Sequence, residues 1–164
     1  MSLFDRFDAS AYDFSEGLAC VDVSERLRNP DHKAAYGFVD REGNIKIPAI
    51  YDAAYAFHEG FAAVKLNNKW GFIDTKGNTA ISFTYDSADS FTRGLALVQL
   101  NGKYGSIDME GNTIIAVIYD LPYFFAYGRA LVHLDGKYGY IDTKGNKAAM
   151  SASEAERYFR EGME

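Results

Sequence analysis

Four aromatic-glycine pairs stand at Tyr36-Gly37, Trp70-Gly71, Tyr104-Gly105 and Tyr138-Gly139, each 34 residues after the last. The same step links Asp40, Asp74, Asp108 and Asp142, and again Gly60, Gly94, Gly128 and Gly162. Three Tyr-Asp pairs, at residues 51-52, 85-86 and 119-120, also keep it. A catalytic motif occurs once, whereas a phrase on a fixed beat is scaffold, and internal periods of this length mark tandem arrays. Only the first copy slips: nine extra residues fall around "SERLRNPDHKA", between Gly17 and Gly37.

Within one period the chain reads as three short strands. "GLALVQL" (Gly94 to Leu100) alternates, placing Ala96, Val98 and Leu100 on one side of a strand. Ala62/Val64/Leu66 and Ala130/Val132/Leu134 repeat that small-to-large apolar set. The opposite side varies, as Phe61/Ala63/Lys65, Leu95/Leu97/Gln99 and Arg129/Leu131/His133, and is read as a looser outer face. Asn67-Asn68, Asn101-Gly102 and Asp135-Gly136 are pairs that tolerate left-handed backbone, which predicts two-residue hairpins. Asp-x-x-Gly-Asn predicts a second, longer hairpin loop with the Asp capping its own turn. Pro48 lacks an N–H and places an edge or bulge in the third strand.

The expected fold is therefore all-β: a tandem array of ~34-residue, three-stranded antiparallel meanders in one domain. The units run 1–52 (irregular, with an insert at 24–34), 53–86, 87–120 and 121–150. Residues 151–164 keep the beat at Phe159 and Gly162 but carry capping-box residues, and read as a half-repeat turned into a short capping helix or as further strand. Three strands per unit are few for a propeller blade, which favours an open solenoid-like stack over a closed barrel or propeller. Glycine in a strand costs about 0.5–1 kcal/mol. Its return beside every ring is read as room for an aromatic ring of a neighbouring strand or unit, or for a kink.

"KWGFIDTKGN", preceded by F-x-x-G-[LF]-A-x-V at Phe57 to Val64 and Phe91 to Val98 and followed by Tyr-Asp, resembles the WG (KWG) repeat. That resemblance covers roughly Phe14 to Gly162 and implies a tandem β-repeat protein of a mostly bacterial family, with no catalytic residues to carry over. Only Trp70 keeps the Trp; the other copies have Tyr.

Composition removes several classes of function. With 17 Lys and Arg against 23 Asp and Glu, the net charge of −6 is wrong for a nucleic-acid binder. Cys20 stands alone, which rules out an internal disulfide and a cysteine-built zinc site. No segment is long and apolar enough for a membrane span, and the start lacks a signal-peptide pattern, so a soluble cytoplasmic protein is expected. His32, His58 and His133 share no ligand spacing, and no nucleotide-binding or hydrolase motif occurs. One Asp per turn is too few for calcium-binding repeats. No cofactor and no metal are expected, and the chain is read as a non-catalytic binding module whose partner is a protein. The alternative is a carbohydrate or cell-envelope ligand stacked on exposed aromatics.

Function is sought where the repeat breaks its own rules. One such place is the insert, with Arg26, Arg28 and His32, either a contact loop or a solvated shield for the first unit's edge. The other is the row Phe38, Phe72, Ser106 and Tyr140 on the central strands. Left bare, that row is a sticky patch; covered by the next unit, which is the preferred reading, it is core.

Overall fold

Paired turn residues divide the chain into hairpins, and the computed structural model shows, among its described residues, fourteen strands in four antiparallel sheets, with no closed barrel. It describes residues 13–23, 35–149 and 153. The first sheet holds β1 (Ala19–Asp22), β2 (Tyr36–Val39) and β3 (Ile45–Tyr51). The second holds β4 (Ala53–Ala54), β5 (Phe61–Leu66), β6 (Lys69–Asp74) and β7 (Thr79–Tyr85). The third repeats this as β8 (Ser87–Ala88), β9 (Ala96–Leu100), β10 (Lys103–Ile107) and β11 (Thr113–Tyr119). The fourth has β12 (Arg129–Leu134), β13 (Lys137–Asp142) and β14 (Lys147–Ala148). The two middle units thus gain a fourth, two-residue strand that the three-stranded expectation lacks.

The expected turn chemistry is present. Asn67, Asn68, Asn101 and Asp135 all have positive φ between 50° and 65°, as the tight hairpins require. In each longer loop one Asp carboxylate accepts the main-chain N–H groups two and four residues on, as Asp74 does from Lys76 and Asn78 at 2.9 Å. The Asn side-chain amide donates to the other carboxylate oxygen. These bonds hold the carboxyls of Asp40, Asp74, Asp108 and Asp142 below their ordinary value of 3.8. The leading cause is the Asn44 main chain at Asp40 and the Asn side-chain amide at the other three. Asp86 and Asp120 are lowered too, chiefly by the ammonium groups of Lys69 and Lys103.

A folded-state pKa below the unfolded one contributes stability above the unfolded value, and that contribution is lost as pH falls through the folded value. The urea midpoint should therefore hold steady from pH 7 to about 5 and drop below about pH 4, more gradually in an Asp108→Asn variant that has one fewer carboxyl to protonate.

Glycine beside the ring serves a different purpose from the one expected. Opposite Gly71, where β6 pairs with β7, the register jumps: Trp70 faces Tyr85, but Phe72 already faces Ile81. Three residues of β7 therefore bulge across one glycine. A Cβ on Gly71 would lie 2.6 Å from the Ile81 carbonyl oxygen and 3.0 Å from the Phe83 nitrogen. Gly37 and Gly105 meet the bulged backbones of β3 and β11 in the same way, at 2.7 and 2.6 Å. The glycine admits a crossing main chain of its own unit and not a ring from the next. Pro48 sits inside the first bulge, on an edge strand, where its missing N–H leaves no ladder bond unmade.

Sheets stack face to face. Phe57, Ala62, Val64 and Ile73 of the second unit pack on Leu18, Phe38, Ile47 and Tyr51 of the first. The other face of the second unit, Ala63, Trp70, Phe72 and Ile81, packs on Ala88, Phe91, Ala96, Val98 and Ile107 of the third. The third joint joins Ile115 and Tyr119 to Tyr123, Ala130, Val132 and Ile141. In the second and third sheets the variable side is therefore a second docking face and not a loose outer one. It varies because it meets a different neighbour at each joint, and its third position (Lys65, Gln99) turns polar, toward the rim. Polar staples close both edges. Asp86 accepts the Lys69 ammonium and, at 2.8 Å, the Asn101 N–H of the next unit. On the opposite edge, Glu59 accepts the N–H groups of Arg93 and Gly94.

Candidate functional site

The row that would be a binding face if left bare is distributed by the stack. Phe38 lies fully buried in the first joint, its ring 4.8 Å from that of Phe57. Phe72 lies equally buried in the second, 4.7 Å from Phe91. Tyr140 is half-buried on the far face of the last unit, beneath the Arg129 guanidinium at 4.9 Å. Equivalent positions in stacked sheets fall in successive layers, one above another, so the row never forms one surface, and Phe38 and Phe72 are core. Arg26, Arg28 and His32 lie outside the described residues, as does the expected C-terminal helix apart from Ser153.

Among the described residues the two most exposed large apolar side chains, Phe124 and Tyr127, lie with Leu121 in the loop that enters the last unit, residues 121–128. Its precursors open with the short strands β4 and β8, whose second residues are Ala54 and Ala88. Here that residue is Pro122, the bond that Tyr55 N–H and Asp89 N–H donate to the next strand (Ala63 O and Leu97 O) has no counterpart at Tyr123, and no strand forms. The freed loop presents Leu121, Phe124, with 81% of its surface exposed, and Tyr127, which is wholly exposed. Backbone bonds between Ala126 and Arg129, at 2.9 and 3.1 Å, close its tip. Tyr127 occupies that tip with φ at 52°, a left-handed conformation that Glu16, Glu59 and Arg93 share at their own turns. The scaffold fixes this conformation in every copy and only the last places an aromatic ring on it.

Together with Tyr138, 49% exposed, these side chains edge a cleft of about 400 Å³ whose base includes Leu131, His133 and Tyr140. The His133 and Tyr138 rings lie 4.6 Å apart. His133 Nδ1 stands 3.3 Å from the Asp120 carboxylate, but the angle makes no hydrogen bond there. Asp120 instead takes the Lys103 ammonium and the Asp135 N–H. The surface is mostly apolar, with the Arg129 guanidinium at its margin. Among the described residues no His, Cys, Asp and Glu cluster has metal-binding geometry. Burial pushes the Cys20 thiol up to about 11, so at neutral pH it carries no thiolate.

Sequence reasoning passed over Phe124 and Tyr127, yet a signal existed. Aligned on the beat, the positions read Ala56, Ser90, Phe124 and Glu59, Arg93, Tyr127. Small or charged residues become aromatic in the last copy alone.

The motif that generates this scaffold recurs beyond the chain. The family model of the WG containing repeat matches three times in succession, over residues 36–70, 70–104 and 104–138. The chain belongs to the WG repeat family. No curated protein matches it. The tryptophan that gives WG repeats their name is present only as Trp70, packed at the second joint against Tyr55 with ring centroids 5.1 Å apart. Tyr36 and Tyr104 take its place at their own joints, half-buried against the next unit. In the last WG repeat the equivalent ring, Tyr138, edges the cleft.

Proposed function

We propose that this WG-repeat array is a non-catalytic module that binds a protein partner through the 121–128 loop and the cleft beside it. One observation carries the reading: Phe124 and Tyr127 are exposed aromatic rings in a repeat whose loop lacks the short strand of the second and third units. Exposing a large apolar side chain forgoes burial worth about 1.5–3 kcal/mol. Aromatic anchors ringed by polar groups are what protein interfaces are built around. The exposed Leu121 and Phe124 side chains offer apolar area to a partner, which favours a protein surface over a glycan.

The test is a swap toward the sister repeat. Phe124→Ser with Tyr127→Arg installs the residues of the third unit at two exposed positions that contribute little to the core. The doubly substituted protein should unfold within about 0.5 kcal/mol of the parent, as surface changes do. Capture of a partner from the native host should fall at least tenfold, and a glycan array should stay silent. Undiminished capture by the variant would remove the loop from the interface.

A further inference from the structure

The third joint breaks the pattern that the first two share. Each of those is filled by a pair of buried phenyl rings, Phe38 on Phe57 and Phe72 on Phe91. At the third, Ser106 stands where Phe38 and Phe72 stand, and the ring opposite, Phe125, is only half-buried. Arg93 replaces the glutamate that staples the earlier joints, so this edge has no carboxylate to offer the next turn. Between the two units lies a cleft of about 330 Å³. Its floor is Leu95, Leu97 and Ser106, and its wall is Tyr123, Phe124 and Phe125.

The floor carries a built polar feature. Ser106, 2% exposed, shares a hydrogen bond of 2.8 Å with the buried Tyr123 hydroxyl. Two hydroxyl groups that bond to one another use one of their two hydrogens, and the second needs an acceptor. A buried hydroxyl hydrogen without one costs about 1–3 kcal/mol. Burial also keeps Tyr123 protonated, pushing its phenol up to about 12, so the pair remains a donor throughout the neutral range.

Resting on the protein-binding reading above, we propose that this joint is a socket for a tyrosine side chain of the partner. Its ring takes the open cleft beside that pair, between Leu95, Leu97, Phe124 and Phe125, and its phenol oxygen accepts the spare hydrogen of the Ser106–Tyr123 pair. Leu95 and Leu97 supply the apolar bed, and Asp89 and Arg93 at the mouth bring one charge of each sign to the flanking peptide. Phe124 lines both this socket and the exposed cleft, so an inserted residue and the loop belong to one footprint.

The experiment titrates N-acetyl-tyrosinamide and N-acetyl-phenylalaninamide into the full-length protein and follows backbone amide resonances. The tyrosine probe should shift residues 95–97, 106 and 123–125, at least threefold more tightly than the phenylalanine probe. Ser106→Ala keeps the room and removes the hydroxyl, and should erase the preference between the two. Ser106→Phe paired with Tyr123→Asp installs the residues of the second joint, and should weaken both probes at least tenfold. Absence of shifts at these residues, equal affinity of the two probes for the parent, or unchanged binding to the filled variant would each overturn the socket. The titration uses no partner, so it can fail while the loop swap still abolishes capture, and the reverse.

Discussion

Gly71→Ala is expected to cost the fold about 2–4 kcal/mol, although alanine is ordinarily the better residue in a strand. Gly71 has ordinary negative φ, so conformational freedom is not what it supplies. The added methyl would sit 2.6 Å from the Ile81 carbonyl oxygen and 3.0 Å from Phe83 N, both main-chain atoms of the bulged β7. A flexible side chain would swing aside, but backbone held in a ladder does not, and the bulge or the joint behind it must shift. Gly105→Ala meets the same obstruction, with Ile115 O at 2.6 Å and Val117 Cα at 2.7 Å. The control is Gly139→Ala, where no atom lies within 4 Å. There the usual preference for alanine should return, neutral or stabilising by up to about 1 kcal/mol. Urea denaturation of the variants side by side decides it. Equal losses at Gly71 and Gly139 would mean that the crossing backbone is not why the glycine recurs.

Phe72→Ala should lower stability by about 3–5 kcal/mol, the range for removing a fully buried phenyl. Its consequence extends beyond the lost ring contact with Phe91 at 4.7 Å, because Phe72 stands in the only layer of packing between the second and third sheets. A stack is held by nearest-neighbour joints, so weakening the middle one uncouples its halves. Hydrogen exchange should show β9 and β10 opening apart from β5 and β6, where the parent opens them together. Phe124→Ala, on a ring that the fold leaves in water, should change stability by about 0.5 kcal/mol or less. A Phe72→Ala protein that melts as a single unit at the parental midpoint would refute the joint-by-joint account.

Much of the architecture was legible because it is local chemistry repeated. Asn67-Asn68 and Asn101-Gly102 specify tight hairpins wherever they occur, since few residue pairs accept positive φ twice in succession. Asp74 and its equivalents carry their own turn partners within four residues, so the loops follow without reference to the rest of the chain. The strands, the 34-residue unit and membership of the WG repeat family all follow from such short-range rules. The site was less legible. Phe124 and Tyr127 become visible only when each copy is compared with its sisters position by position, and the short strand that precedes them in the sister units is absent where Pro122 replaces Ala54 and Ala88.

Sequence alone determined the period, the turns and the alternation of each strand, because these depend on neighbours a few residues apart. Tertiary structure decided which faces are covered. A period of two separates Ala62 from Ala63 but cannot say that both are buried, one against the preceding sheet and one against the next. It likewise decided that Phe38 and Phe72 are core, that Gly37, Gly71 and Gly105 make way for main chain, and that a Ser106–Tyr123 pair stands at the third joint where the others use phenyl rings. Each of these rests on contacts between segments about 34 residues apart or on a bulge in a partner strand, and no local rule reports either.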